Sequence, residues 1–186
     1  MRRRRSATPG EGSLRVVMNA DSRRVFEELK PPTLHVAEIS GAFWKDLPWA
    51  SRTQLSFPDF DLCDPPAELP GPFDLVICEQ VLEHVVNPLK AVATLRELCK
   101  PDGHVFVSTP FLVRLHSHPG DYWRFTPDGM EVLLRSQGLE PLWVRSWGNR
   151  KVIVANFDRW TGPRPGRSMP NEPNLPAVVW GLARPA

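Results

Sequence analysis

The segment from Phe73 to Thr109 limits the fold more than any other part of the chain. It holds an apolar run, Phe73-Asp74-Leu75-Val76-Ile77-Cys78, then a helically spaced set Leu89, Val92, Leu95 and Leu98, then a second run, His104-Val105-Phe106-Val107-Ser108-Thr109. Runs of this length read as buried strands, and the intervening spacing as a one-faced helix. Asn87 can cap that helix and Pro88 can open it. Lys100-Pro101-Asp102-Gly103 reads as the turn back into the second run. Strand, helix and strand in this order call for a mostly parallel sheet with helices on its faces.

The flanks extend the pattern. A helix is expected from Asp21, with Val25, Phe26 and Leu29 on one side and Pro31-Pro32 ending it. Leu34 to Ile39 reads as a buried strand that stops at Ser40-Gly41. A short helix suits Ala42 to Ala50, limited by Pro48, and extended pieces suit Thr53 to Phe57 and Phe60 to Cys63. Thr126-Pro127 starts a capped helix that Gly138 ends, and Leu142 to Trp147 with Val152 to Ala155 reads as an antiparallel pair. The expected architecture is a Rossmann-like α/β sheet, mostly parallel, with helices on both faces and an antiparallel C-terminal strand pair.

With 186 residues, one domain is expected. Its boundaries are drawn as a flexible basic leader over 1–20, a folded domain over 21–158 and a Pro-rich C-terminal extension over 159–186. Six of the 21 prolines, from Pro163 to Pro185, fall in that extension. Within it, Val178 to Leu182 is apolar enough to dock on the domain or on a partner. The net charge is +2, and four of the positive charges are Arg2 to Arg5. The rest is close to neutral, so a nucleic-acid partner is not expected. Cys63, Cys78 and Cys99 lack paired spacing, which argues against a disulfide framework. No apolar run approaches the roughly 20 residues of a membrane span, so a cytoplasmic location without a membrane partner is expected. The oligomeric state is not legible in the sequence.

In parallel sheets of this kind the ligand crevice lies outside the carboxyl ends of the strands. That rule singles out Glu38 to Gly41, Glu79 to His84, and Thr109 to Arg124. Glu79 is placed in the crevice by its position at the end of the strongest strand.

The run Phe73 to Val85, with Glu79-Gln80-Val81-Leu82-Glu83-His84 at its end, followed by Asn87-Pro88 and Lys100-Pro101-Asp102-Gly103, resembles the central segment of class I S-adenosylmethionine-dependent methyltransferases. Asp121-Tyr122-Trp123-Arg124-Phe125-Thr126-Pro127 is similar to a segment of one small-molecule subgroup, and Trp147-Gly148-Asn149-Arg150 looks like a further mark of it. The resemblance covers roughly residues 33 to 157. It departs in two places. Where the family has a G-x-G-x-G loop, this chain has Glu38-Ile39-Ser40-Gly41-Ala42-Phe43 with one glycine. Glu38 and Asp74 are also only 36 positions apart, which shortens the middle of the domain.

The resemblance implies S-adenosyl-L-methionine as cofactor and methyl transfer to an oxygen or nitrogen of a small molecule, sugar-derived or a secondary metabolite. The alternative is a non-catalytic binding or scaffold protein that keeps a degenerate methyltransferase fold. An open crevice beside Gly41 and Glu79 favours the enzyme, and Phe43 or Trp44 filling it favours the scaffold. For the cofactor, Glu38 is expected to orient the turn or meet the amino group, and Ser40 and Gly41 to supply close backbone. Asp61 is expected to meet the ribose or adenine, by resemblance of Asp61 to Asp64 to the adenine-side segment. His84 and His116 are the catalytic candidates, although either can brace its loop instead. Tyr122 can hold an acceptor oxygen, and Arg124 can read an acceptor anion or pair with Asp121 or Asp128. His116 and His118 have a spacing that suits a metal, with Asp121 as a third ligand, but no metal is expected.

Overall fold

The computed structural model describes residues 13–116, 120–158 and 170–186. Arg2 to Arg5, His118, Pro163 and Pro165 lie outside those residues. The chain forms one six-stranded sheet in the order β2-β1-β3-β4-β6-β5, with β1 at His35–Ile39, β2 at Ser51–Leu55, β3 at Phe73–Glu79, β4 at Cys99–Pro110, β5 at Leu139–Trp147 and β6 at Val178–Pro185. Strands β2, β1, β3 and β4 are parallel, and β6 runs antiparallel to both β4 and β5. The helices are α1 at Ser13–Glu28, α2 at Pro88–Leu98, α3 at Pro127–Ser136 and α4 at Arg150–Asp158. The mostly parallel α/β architecture expected from the sequence is the one observed.

Alternation along the strands sorts the core into two layers. Ala37, Ile39, Val76, Cys78, Val105 and Val107 face one side, where Leu95 and Leu98 of α2 and Met130 and Leu134 of α3 cover them. Val36, Leu75, Ile77 and Phe106 face the other, beneath Met18 and Phe26 of α1 and Ile153 of α4. Fully burying a side chain of this kind contributes roughly 1.5–3 kcal/mol, so both layers are needed to hold the sheet. The expected caps are present: Asn87 Oδ1 accepts from the Lys90 amide at 3.1 Å, and Thr126 Oγ1 from the Gly129 amide at 3.0 Å.

Several expectations are corrected. The first helix begins at Ser13, inside the stretch read as a leader, because Met18 and Ser22 continue the buried face of Val25 and Phe26 by whole turns. Ala42 to Ala50 is a series of turns and not a helix, and Phe60 to Cys63 is a turn and not an extended piece. Lys100 to Gly103 is not a turn ahead of the strand; it lies within β4, where the register with β3 jumps. Residues Val152 to Ala155 belong to α4, started by Asn149, whose Oδ1 accepts from the Val152 amide.

The strand that completes the antiparallel pair comes from the segment read as a C-terminal extension. Val178 to Pro185 is inserted between β4 and β5, with Val178, Val179, Trp180, Leu182 and Ala183 buried. Trp147-Gly148-Asn149 anchors its return. The Gly148 amide donates to Asn171 Oδ1, the Glu172 amide donates to the Gly148 carbonyl, and Asn149 Nδ2 donates to the Pro170 carbonyl. A Cβ on Gly148 would lie 2.1 Å from the Leu175 carbonyl oxygen, so no larger residue fits there. No helix among the described residues is long and apolar enough to cross a membrane.

Candidate active site

The strand order reverses between β1 and β3, since the chain builds to one side with β2 and to the other with β4. A crevice opens outside the carboxyl ends at such a point. Two cavities meet there. One of about 310 Å³ is lined by Arg15, Glu38, Gly41, Phe43 and Glu79, the other of about 480 Å³ by Phe57, Asp61, Cys63, His84, Val86 and Tyr122. Ile39, Ser40 and Gln80 line both.

The two strands leave the sheet in the same way. Ser40 after β1 has φ 52° and Gln80 after β3 has φ 56°, a left-handed backbone that L-residues rarely adopt. The Ser40 amide donates to the Leu55 carbonyl at 2.7 Å and the Gln80 amide to the Ser108 carbonyl at 2.9 Å, which holds both turns open. A serine thus takes the conformation for which a glycine is usual.

Glu38 shapes the rest of the first loop. Its buried carboxylate accepts from the Phe43 amide at 2.6 Å and the Trp44 amide at 3.2 Å through Oε1, and from Arg52 at 2.8 Å through Oε2. Gly41 lies against it, since a Cβ there would meet Glu38 Oε1 at 3.2 Å. Of the two roles expected for Glu38, orienting the turn is the one its contacts carry. Phe43 sits on the crevice wall, 37% exposed, while Trp44 is fully buried beneath, edge-on to Phe26. Neither ring closes the crevice. Trp44 Nε1 donates to Glu79 Oε2 at 2.8 Å, and Arg15 lies 3.9 Å from the other oxygen, so Glu79 is fixed at the crevice floor. Asp61 lines the larger cavity and accepts from the Cys63 amide through Oδ1 at 2.7 Å.

At the far end of the larger cavity the loop after β4 folds back onto the turn after β3. The rings of His84 and His116 pack 4.8 Å apart. His84 Nδ1 bonds to the Gly120 carbonyl, His116 Nδ1 lies 3.0 Å from Asp121 Oδ2, and the Tyr122 amide donates to the Glu83 carbonyl at 2.7 Å. Glu83 and Asp121 are both buried. Arg124 grips both oxygens of Asp121, one at 2.6 Å, and holds its carboxyl well below the usual carboxylate range against the opposing effect of burial. The pKa of His116 is raised, first by Glu83 and then by Asp121, with burial working the other way. Trp123 ties the loop down by donating to the Val85 carbonyl at 2.9 Å. Tyr122 is largely exposed on the cavity wall.

Of the expected site residues, Glu38, Ser40, Gly41 and Glu79 line the smaller cavity, Asp61, His84 and Tyr122 line the larger, and His116 packs against the His84 ring without lining either. Arg124 stands behind them, committed to Asp121. Sequence reasoning passed over Gln80, which lines both cavities, and Glu83, which lies under both imidazoles. Their signal was adjacency: each sits beside a residue that was chosen.

Fold and crevice together define a Rossmann-like domain of the class I S-adenosylmethionine-dependent methyltransferase type. The methyltransferase domain family matches residues 20–145, and the chain belongs to that family. The ubiquinone biosynthesis O-methyltransferase of Vibrio campbellii is 42% identical over 57 residues, covering 31% of this chain and 24% of that protein. The chain thus matches about a quarter of that curated relative's length. Among solved structures, the 1,6-didemethyltoxoflavin-N1-methyltransferase of Burkholderia thailandensis, with 1,6-didemethyltoxoflavin and S-adenosylhomocysteine bound, aligns with a TM-score of 0.57 at 16% identity, over 91% of this chain and 78% of that one. A SAM-dependent methyltransferase of Archaeoglobus fulgidus aligns with a TM-score of 0.59 at 13% identity, over 91% and 93%. At these identities the likeness is one of fold.

Proposed function

We propose that the chain transfers a methyl group from S-adenosylmethionine to an oxygen or nitrogen of a small molecule. One observation carries this reading: two cavities joined at Ser40 and Gln80, where the strand order reverses, with acidic groups at one end and the His84 imidazole at the other. The residues suit the cofactor. Ser40 and Gly41 offer open backbone for its amino-acid end, Glu79 offers negative charge within the same cavity, and Asp61 beside Phe57 and Leu62 offers an acid and an apolar wall for ribose and adenine. When bound, the cofactor supplies a methyl group activated by a sulfonium centre.

The chain's own part is alignment and proton handling. Methyl transfer is an in-line displacement, so most of the gain comes from holding the acceptor at near-attack distance. Tyr122 and His84, both on the larger cavity, are placed to orient the acceptor. His116, steadied by Asp121, is the proposed base for its proton, and Arg124 acts through Asp121 as a positioning residue. The larger cavity, about 480 Å³, is of a usual size for small ligands, which supports a small-molecule acceptor. The DYWRFTP-type loop places Asp121, Tyr122 and Arg124 about this end, which supports membership of the small-molecule subgroup.

Calorimetric titration with S-adenosylmethionine and with S-adenosylhomocysteine tests the proposal. Glu79→Gln keeps an acceptor for the Trp44 indole while removing the charge, so S-adenosylmethionine should bind on the order of tenfold more weakly, equivalent to about 1.4 kcal/mol. S-adenosylhomocysteine, which lacks the sulfonium charge, should change less. Absence of saturable binding to either ligand overturns the enzyme reading in favour of a scaffold that keeps the fold.

A further inference from the structure

The buried carboxylate of Glu83 has two imidazoles beside it but no hydrogen bond among the described residues. It is wholly inaccessible, and neither oxygen has a hydrogen-bond partner among the described residues. Burying an ionised carboxylate is costly unless it is paired or coordinates a metal. Its nearest polar neighbours are His84 Nε2 and His116 Nε2, each 3.6 Å from Oε1. That separation is beyond a hydrogen bond.

The other nitrogen of each ring explains what faces the carboxylate. His84 Nδ1 meets the Gly120 carbonyl, which can only accept, so this nitrogen carries a proton. His116 Nδ1 meets Asp121 Oδ2, an ionised acceptor held by Arg124. In the neutral imidazoles, both Nε2 atoms then present lone pairs toward Glu83. Two lone pairs and an anion converging on one point form a site for a cation, a proton or a metal ion. A ring whose second nitrogen donates to a carbonyl or carboxylate is also the usual support of a metal-bound histidine.

We propose that Glu83, His84 and His116 bind a divalent first-row transition ion. Ligands at about 2.0–2.2 Å in tetrahedral geometry lie roughly 3.4 Å from one another, close to the 3.6 Å between Glu83 and each ring. All three ligand atoms lie within 4.8 Å of one another, so tetrahedral binding draws the widest pair together by up to about 1.4 Å. Two imidazoles and one carboxylate suit zinc, iron or manganese better than magnesium or calcium. Of the loop residues weighed for a metal, His116 is a ligand among the described residues, and Asp121 stands behind it. The inference concerns binding by these three side chains; because His116 Nδ1 is engaged with Asp121, an ion on Nε2 takes the nitrogen that the proposed base would use, so His116 serves as base only in the chain without the ion.

Cobalt(II) titration of the chelator-stripped full chain, followed by visible absorption without cofactor or acceptor, tests it. One ion per chain should bind and zinc should displace it. Asp121→Asn, which removes support behind His116, should weaken binding about 10–100-fold, and Glu83→Gln or His116→Ala by more. His104→Ala, on β4 away from the cluster, should bind as the unaltered chain does. Should Glu83→Gln fail to fold, His116→Ala carries the same test, because that ring is partly exposed on a loop. No saturable binding, or binding that both His116→Ala and a folded Glu83→Gln leave intact, overturns the proposal, and neither result bears on whether S-adenosylmethionine binds.

Discussion

Replacing Glu38 tests whether one buried carboxylate shapes the loop that forms the cofactor end of the crevice. In Glu38→Gln the amide oxygen can still accept from the Phe43 and Trp44 amides, but the charge-assisted bond from Arg52 is lost. Hydrogen bonds to charged groups contribute about 1.5–3 kcal/mol, and Arg52 is 23% exposed, so the lower part of that range applies, near 1.5 kcal/mol. Glu38→Ala also strands two backbone N–H groups next to the buried Trp44, at about 1–3 kcal/mol for each one left unsatisfied. The alanine variant should therefore be less stable than the glutamine variant by at least about 2 kcal/mol. At roughly 2–4 °C per kcal/mol for a domain of this size, thermal unfolding should show about 3–6 °C lost for glutamine and at least about 7 °C for alanine. Cofactor affinity should follow the same order, because Ser40 and Gly41 belong to the loop that Glu38 holds. Alanine unfolding no earlier than glutamine would refute the idea that the two amide bonds define the loop.

The thiols and one surface acid give two more tests. Cys78 and Cys99 are buried, burial pushing the Cys99 thiol up to about 12 and the Cys78 thiol higher still, while Cys63 is partly exposed on the larger cavity. One thiol of three should therefore react with a disulfide reagent in the folded chain, and S-adenosylhomocysteine should slow that reaction; three fast thiols, or no protection, would contradict the placement of the cavity. Burial tends to raise the Asp74 pKa, but the Lys100 ammonium at 2.7 Å and the His35 amide outweigh it and the pKa is lowered. The stability this confers is present above the ordinary carboxylate value of about 3.9 and is lost as pH falls through the folded value. Between pH 5 and pH 2 the unaltered chain should lose more thermal stability than Asp74→Asn does, and parallel losses would remove Asp74 from the account.

The strand–helix–strand unit from Phe73 to Thr109 was legible because period, caps and run length all agreed, and the structure follows it closely. Val152 to Ala155 misled because four apolar residues cannot distinguish a strand from a turn of helix; Asn149 decides, by capping α4. The tail misled for a different reason. Its prolines signal an extension, yet Val178 to Ala183 are buried by pairing with β4 and β5, and that pairing follows from contacts remote in sequence.

The candidate site divides along the same line. Glu38, Ser40, Gly41 and Glu79 could be found because they end strands, and strand ends in a doubly wound sheet face the crevice. Glu83 does not end a strand, and nothing local marks it as more than a loop acid. It becomes significant when the loop after β4 brings His116 across to it and Asp121 and Gly120 fix how the two rings point. Strand periodicity can locate a crevice, but the chemistry at its far end depends on which nitrogens the second loop leaves facing the carboxylate, and that information lies in the tertiary contacts.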